Sequence, residues 1–420
     1  MRDYPIFTPE MKSTHTILIP NMLPVHFKLI GKVMRNYGYN VKLLTTTGQN
    51  ITDAGLQSVH NDTCYPALLV IGQFIDAIES GEYNRSKLAL MISQTGGGCR
   101  ASNYIYLLRK ALKKRGYGDI PVISLNFTGL DKDSSFPINL PIGIQLLWSV
   151  LLGDLIMLLY NQVKPYEVTP GDTEIAENAA FELANSLFHK DKIVRYGAVR
   201  SKYSEIIDLF SKVTVDRSET KVKVGVVGEI YVKFSPLGNN NLEKFLLSVG
   251  AEVVMPGLLD FCLYCVANTM VDRELYGGNF IKSAVFSAAF GWMVNKQRDM
   301  IKAVNASGKF NPPMNFKETL KNVREYISPG VKMGEGWLLT AEMIELIHSG
   351  ASNIICTQPF GCLPNHIAGK GMMKKIKEMN PGANIVAIDY DPGATKVNQE
   401  NRIKLMMSVA RRESSEKHGE

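Results

Sequence analysis

Apolar and polar positions in the first part of the chain alternate in the manner of strands followed by helices. Short apolar runs predict strands at residues 16–20, 41–45, 87–93 and 121–125. Helical periodicity lies between these runs, at residues 27–37, 68–78 and 101–114. Strands and helices that alternate at this spacing are typical of a parallel, doubly wound sheet.

The same pattern returns after a long helical stretch. Residues 141–213 have helical periodicity with a loop at 165–172. Strands are then predicted at residues 222–228, 252–255 and 383–389, and another buried strand ends near residue 355. Helices are predicted at 242–249, 336–348 and 398–412, and residues 260–316 are partly helical.

A chain of 420 residues is long enough for two or three well-packed α/β units. We therefore predict an α/β protein of two or three flavodoxin-like or Rossmann-like doubly wound parallel-sheet lobes with a helical connector. The predicted division is an N-terminal lobe (1–140), the helical connector (141–218), a C-terminal lobe (219–412) and a loose, polar tail (413–420).

Three cysteines lie where a strand or loop gives way to a predicted helix. Cys64 and Cys362 each have a proline two residues later, and Cys99 follows three glycines. A thiolate at a helix start gains from the positive end of the helix and from free backbone N–H groups. In a parallel sheet, such positions meet at the carboxyl edge of the strands, where ligands bind. The pattern predicts a soft metal site that includes these three residues.

The other three cysteines are less sharply placed. Cys356 lies at the predicted end of a strand, six residues before Cys362, and we predict it as a further ligand. Cys262 and Cys265 form a Cys-x-x-Cys pair in an apolar, helical stretch, where residues three apart share a face. Both a core pair and two ligands fit that spacing; we include Cys265 among the predicted ligands and leave Cys262 open. A free cysteine is also often a small buried hydrophobe.

Composition and charge exclude several classes of function. Hydrophobic and charged contents of 45% and 21% are globular values, and the net charge of +7 comes without a basic run that would indicate nucleic acid. The amino terminus lacks the apolar core of a signal peptide. Segment 142–160 is apolar, but it contains Gln145 and Asp154 and is predicted as a buried helix. We expect a cytoplasmic protein whose cysteines are thiols or metal ligands.

Two rival chemistries compete with an iron–sulfur cluster. Structural zinc sites usually come as two local Cys-x2–4-Cys pairs, whereas this chain has one such pair and widely spread cysteines. A Cys–His nucleophile would pair Cys362 with His366, four residues later on the same helix face. Cysteines that converge from two lobes suit an iron–sulfur cluster better, because its ligands are thiolates.

Further residues are candidates for polar roles. Arg100 follows Cys99 and would bind an anionic substrate, raise the potential of a cluster, or cap a surface helix. Glu229 and Glu335 each lie in a Gly-Glu turn and are candidate catalytic groups, as is His366. No Gly-x-x-x-x-Gly-Lys-Ser/Thr motif occurs, and three consecutive glycines are too weak a signal for a nucleotide site. If the chemistry needs ATP, another chain must hold it.

Several motifs resemble those of the 2-hydroxyacyl-CoA dehydratase and CoA-activase-related family of iron–sulfur proteins. The resemblance covers about residues 16–412. The motifs are Asn61-Asp62-Thr63-Cys64-Tyr65-Pro66-Ala67, Gly96-Gly97-Gly98-Cys99-Arg100, Gly228-Glu229-Ile230-Tyr231 and Gln358-Pro359-Phe360-Gly361-Cys362-Leu363-Pro364. The last is the most specific.

The resemblance implies a cluster held between flavodoxin-like lobes. In the dehydratase subunits, three cysteines hold a [4Fe-4S] cluster whose remaining iron is open to substrate. Cys64 and Cys99 resemble two of them, and the third would come from among Cys265, Cys356 and Cys362. Another branch holds a double-cubane cluster with six cysteines, and this chain has six.

The resemblance also implies partners and a reaction. A separate, dimeric iron–sulfur activator ATPase would supply low-potential electrons for reductive or dehydratase chemistry under anaerobic conditions. A related subunit or a second copy of the chain is a further possible partner, whereas nucleic acid and membrane are not expected. A CoA pocket is not identifiable in the sequence, so dehydration of a 2-hydroxyacyl-CoA is a weaker expectation than cluster binding. The alternatives are a non-catalytic electron-transfer or cluster-carrier protein of the same system, and a structural zinc protein.

Overall fold

The protein is an α/β protein with two four-stranded parallel sheets and many helices. The computed structural model describes residues 4–60, 62–94, 98–126 and 136–418, without the side chains of residues 413–418. This architecture is compatible with the predicted doubly wound α/β fold.

The N-terminal sheet has the strand order β2-β1-β3-β4. Its strands are Thr16–Pro20 (β1), Asn40–Leu44 (β2), Leu88–Ser93 (β3) and Val122–Leu125 (β4). The two central strands, β1 and β3, are almost wholly buried. Burial on both faces explains why they consist of continuous apolar runs rather than alternating ones.

The C-terminal sheet repeats this order with strands β6-β5-β7-β8. Its strands are Val222–Gly228 (β5), Ala251–Val254 (β6), Asn353–Pro359 (β7) and Asn384–Tyr390 (β8). In each sheet the first and third strands along the chain are neighbours at the centre. The connections leave in opposite directions there, and in such sheets the ligand crevice is expected at the carboxyl ends of the central strands, β1 and β3 in one sheet and β5 and β7 in the other.

The helices fill the connections between strands. Those of the first α/β pattern are Pro24–Asn36 (α1), Gln49–Ser58 (α2), Tyr65–Glu79 (α3) and Tyr104–Lys114 (α4). The middle of the chain forms Leu140–Val163 (α5), Asp172–Asn185 (α6) and Tyr196–Ser211 (α7). The remainder are Ile230–Phe234 (α8), Leu242–Ser248 (α9), Leu258–Tyr276 (α10), Phe280–Ser307 (α11), Phe316–Asn322 (α12), Trp337–His348 (α13), Met373–Met379 (α14) and Lys396–His418 (α15).

Helix α5 links the two halves of the molecule. It packs against α1 on one side and against β6 and α10 on the other. Its buried Asp154 carboxylate lies 2.7 Å from Nε2 of His26 in α1 and accepts the backbone N–H groups of Leu258 and Leu259 at the start of α10. One acidic side chain thereby ties elements of both α/β patterns together.

The same helix has the length and composition of a membrane span. Residues 140–166 meet that test, yet 78% of the apolar window is buried inside the protein. The packing of α5 matches the prediction of a buried helix, which Gln145 and Asp154 indicated.

Two predicted boundaries were wrong. Strand β7 does not end near residue 355 but continues to Pro359. Pairing with β5 ends at Thr357, so Pro359 has a strand neighbour only in β8, and its missing N–H leaves the ladder on the other side intact. Cys356 therefore lies within the strand, paired with Val227 on one side and Ala387 on the other. The last helix continues to His418 rather than ending at residue 412, so most of the predicted loose tail has helical backbone.

Candidate metal centre

The three cysteines at predicted helix starts all lie at helix starts in the structure. Cys64 is the N-cap residue of α3, and Cys99 is the N-cap of a 3-10 turn that leads into α4. Cys362 directly precedes the helical turn that begins at Leu363 and continues as a short π-helix. Cys99 and Cys362 follow β3 and β7, the strands that border the central crevice of each sheet.

The loop that carries Cys362 lies against the loop that carries Cys64. The backbone N–H of Tyr65 donates to the carbonyl oxygen of Phe360 at 3.0 Å. Gly361 has a φ of +72°, and a Cβ at this position would lie 3.1 Å from Cα of Cys64. Glycine is needed there for its left-handed backbone and for the close approach of the two loops.

The loop of Cys99 meets the loop of Cys362 at Gly334, in the segment before α13. A Cβ on Gly334 would lie 2.9 Å from Cγ of Pro364 and 3.6 Å from Cβ of Cys99. Gly334 therefore lies between the loops of Cys99 and Cys362. Three loops, two from the N-terminal pattern and one from the C-terminal pattern, meet around this point.

Two buried glutamates face the cysteines. Glu229 is the N-cap of α8 and accepts the backbone N–H of Val232 at 2.9 Å, while Glu335 accepts that of Ile230 at 3.2 Å. Burial, together with the charge of Glu335, raises the pKa of Glu229 to about 8. Burial also raises the pKa of Glu335. Near neutral pH these carboxyl groups hold protons more readily than exposed carboxyl groups.

The pKa values of the three thiols are raised by the same two causes. Burial is the largest effect: it raises the pKa of Cys64 and Cys362, and it raises that of Cys99 to about 11. The charge of Glu229 adds to the increase for each of them. Nearby backbone N–H groups oppose it but do not outweigh burial. Without a cation these side chains stay protonated thiols at neutral pH, and a bound metal would stabilise their thiolates.

Tyr104 is a site residue that the sequence analysis missed. Its hydroxyl lies 2.9 Å from Sγ of Cys64, and both side chains are buried. Tyr104 is the first residue of α4, only five positions after Cys99. The sequence signal for this residue was a tyrosine about one helical turn after a cysteine at a predicted helix start.

A buried ion pair behind the glutamates was also missed. Nζ of Lys233 lies 2.7 Å from Oε1 of Glu342, and the two side chains are 4% and 2% exposed. Lys233 lies in α8, one turn after Glu229, and Glu342 lies in α13, two turns after Glu335. The pair joins the two helices that carry the glutamates.

Arg100 and His366 lie at the surface of the site. The guanidinium of Arg100 donates to the carbonyl oxygen of Asp62, and its charge lowers the pKa of Cys64. His366 is exposed while Cys362 is buried, and the backbone N–H of His366 donates to the carbonyl oxygen of Cys362 at 3.2 Å.

The remaining cysteines are placed differently. Cys356 is fully buried within β7, with its Sγ 3.5 Å from Oδ1 of Asn365 in the short π-helix that follows Cys362. Cys262 is partly buried and Cys265 is exposed on α10. Although Cys265 as a whole residue is exposed, the protein around its thiol raises the pKa of that thiol, and the charge of Glu335 adds to the increase. Cys265 therefore lies toward Glu335. The structure thus brings together the loops that carry Cys64, Cys99 and Cys362, whereas Cys265 lies on α10 and Cys356 lies within β7.

Single-ion coordination is not evident in the described ranges. Among residues 4–60, 62–94, 98–126 and 136–418, no three His, Cys, Asp or Glu side chains stand close enough to hold one metal ion. The first two glycines of the Gly96-Gly97-Gly98 run, and Asn61 of the Cys64 motif, lie outside the described residues.

Comparisons with known proteins give no family. No protein-family model matches the chain, and no curated protein matches it significantly.

Proposed function

We propose that the chain is an iron–sulfur protein in which Cys64, Cys99 and Cys362 hold a [4Fe-4S] cluster through three of its four irons. The observation that carries the proposal is the meeting of three helix-start cysteines around the carboxyl groups of Glu229 and Glu335. The two α/β halves act as lobes, and the cluster occupies the cleft between them. Electrons come from a separate ATP-dependent activator ATPase.

The donor set fits this group better than zinc. Three thiols and no histidine form a soft, sulfur-rich set, which iron–sulfur clusters favour. A structural zinc ion needs four close ligands in a tetrahedron, and no such group occurs in the described part of the chain. A cluster is larger than one ion, so its ligands stand farther apart.

The bound cluster would supply one-electron reduction and a Lewis-acidic iron. The chain supplies the rest. Tyr104 orients Cys64 through its hydroxyl, and the protonated forms of Glu229 and Glu335 place exchangeable protons beside the centre. The Lys233–Glu342 pair fixes the helices that carry them.

The buried, protonated glutamates favour an enzyme over a passive carrier. Electron transfer alone needs no proton donor, whereas reductive or dehydratase chemistry moves protons together with electrons. Two carboxyl groups with raised pKa values therefore fit the enzymatic proposal. The carrier is the second candidate, and turnover separates the two.

Exposed apolar side chains flank Cys362 and mark where we propose that the activator docks. Phe360 is 48% exposed and Leu363 is 67% exposed, on either side of a buried cysteine. An apolar surface directly beside a redox centre suits a transient electron donor.

Anaerobic cluster reconstitution of cysteine variants tests the proposal. We expect Cys64→Ala, Cys99→Ala and Cys362→Ala each to lose most of the iron and the visible absorption of the wild type. Cys356→Ala is the matched control and keeps its iron, because Cys356 lies in the core. Unchanged iron in any of the three variants would remove that residue from the ligand set. Reduction of acetylene or hydrazine, or turnover of an acyl-CoA, with activator and ATP present then distinguishes the enzyme from the carrier.

A further inference from the structure

A polar cavity lies beside the proposed cluster site and takes no part in holding it. Its volume is about 260 Å³, which is room for about nine water molecules at about 30 Å³ each. One wall comes from the loop after β2 and the start of α2, and the other comes from the loop after β8 and the start of α15. Tyr65, the residue after Cys64, forms part of the lining.

The α2 side of the cavity is suited to an anion. The ten-residue helix begins after Gly48, which has no side chain to cap the first backbone N–H groups. Gly48, Gln49 and Thr52 line the cavity. The free N–H groups and the positive end of a helix favour negative charge.

Thr52 is the independent indication of a ligand. Its side chain is only 8% exposed, and it lines the cavity. Its hydroxyl makes no hydrogen bond to a described residue and opens onto the cavity, where it can bond to a bound molecule. A ligand in the cavity would supply the missing partner.

The side of the cavity opposite α2 carries polar groups that suit a hydrogen-bond donor on the ligand. Asp391 contributes a carboxylate, and burial followed by the charge of Asp391 raises the pKa of Tyr65 to about 12, so its hydroxyl stays protonated. Lys396, 58% exposed at the start of α15, adds a positive charge at the rim, with its Nζ 3.7 Å from Oε1 of Glu400. Asn240 and Asn241 add amide groups.

We propose that this cavity binds a small anion that also carries a hydroxyl or amino donor. The anionic group binds at the start of α2 with Thr52 and Lys396, and the donor faces Asp391. The anionic group is a carboxylate or a phosphate, which share this chemistry. The proposal rests on the cavity itself and does not depend on a cluster being present.

Calorimetric titration of the full chain as purified tests the proposal, with L-serine as the carboxylate probe and glycerol 3-phosphate as the phosphate probe. We expect at least one probe to bind, and Thr52→Val to weaken that binding by about tenfold because a hydrogen bond to a charged group is lost. Lys396→Gln should weaken it and reduce its salt dependence.

Two control variants test whether a loss of binding is specific to the cavity. Thr173→Val changes another fully buried threonine in the first turn of a helix, and Lys404→Gln changes another lysine of α15; neither residue lines the cavity. Both should bind like the wild type. The proposal is overturned if neither probe binds, or if Thr52→Val and Lys396→Gln bind as tightly as the controls. Iron content of the same samples shows whether the cluster proposal stands or fails separately.

Discussion

The hydroxyl of Tyr104 lies 2.9 Å from the sulfur of Cys64. Tyr104 begins α4, and Cys99 caps the 3-10 turn directly before that helix. The start of one helix therefore fixes the position of Cys99 and contacts Cys64 as well. The fold itself therefore holds both N-terminal cysteines in place.

The Tyr104 contact predicts a change in redox potential. A hydrogen bond to a ligand sulfur stabilises the more negative, reduced state of a cluster and so raises its potential. We expect Tyr104→Phe to keep the cluster and to lower its midpoint potential, measured by a redox titration followed by electron paramagnetic resonance. Tyr106→Phe, on the same helix and 49% exposed, is the control. Equal potentials in both variants would contradict a role for this hydrogen bond.

The conformation of Gly361 predicts that a substitution there lowers both the stability of the fold and the cluster content. Its φ of +72° alone should cost Gly361→Ala about 1–2 kcal/mol, and the approach to Cys64 adds to that cost. Gly81→Ala is a matched control, because Gly81 has a φ of +76° with nothing within 4 Å of its Cβ position. Urea unfolding should show the larger loss for Gly361→Ala, and only that variant should lose iron. Similar behaviour of both variants would mean that the loop contact is unimportant.

The buried Lys233–Glu342 pair predicts that the free energy of unfolding depends strongly on both residues. Lys233→Met leaves Glu342 buried without its partner, which should lower the free energy of unfolding by about 3 kcal/mol. Adding Glu342→Leu should recover part of the loss, because no charge then remains buried. In the exposed Lys374–Glu378 pair, Lys374→Met should cost less than about 1 kcal/mol. A double-mutant cycle by chemical denaturation measures these values, and a Lys233 effect as small as that of Lys374 would refute the prediction.

The raised pKa of Glu229 predicts how stability depends on pH in the metal-free protein. Glu229 has a folded pKa of about 8 against an ordinary value of 4.5, so between these values the folded state binds more protons than the unfolded state. Stability from this group is fully present below about pH 4.5 and is lost as the pH rises toward 8.

Glu229→Gln tests that dependence. The variant should reduce the negative slope of unfolding free energy against pH by at most about 1.4 kcal/mol per pH unit, since one proton is involved. Denaturation between pH 5 and pH 9 (roughly the window in which the two states differ) measures the slope. Glu318→Gln, at an exposed position, is the control. A slope in Glu229→Gln equal to that of the wild type would contradict the assignment.

The sequence predicted the framework of the fold because burial shapes local composition. Strand β1 has the predicted bounds of 16–20, since a central parallel strand is apolar throughout. Helix α2 was missed because its sequence, Gln49–Ser58, has few large apolar side chains. Strand β7 extends past its predicted end because Pro359 pairs only with β8, where the edge-like position needs no N–H on the β5 side.

The sequence could also indicate which cysteines come together. Cys99 and Cys362 follow the central strands of parallel sheets, so their loops lie at the carboxyl edges. Tyr104 and Lys233 could not be assigned, because their contacts with Cys64 and Glu342 join residues 40 and 109 positions apart. Each contact lies within one half of the molecule and depends on how its helices pack against one another, which local patterns do not encode.

Iron and acid-labile sulfide per chain, measured on protein purified without oxygen, test the central claim most directly. The account predicts about four irons and a matching amount of sulfide, because three cysteines meet at one centre. About eight irons would indicate a double cubane and contradict the three-cysteine assignment. Protein with no iron, carrying zinc or no metal, would contradict the iron–sulfur proposal itself.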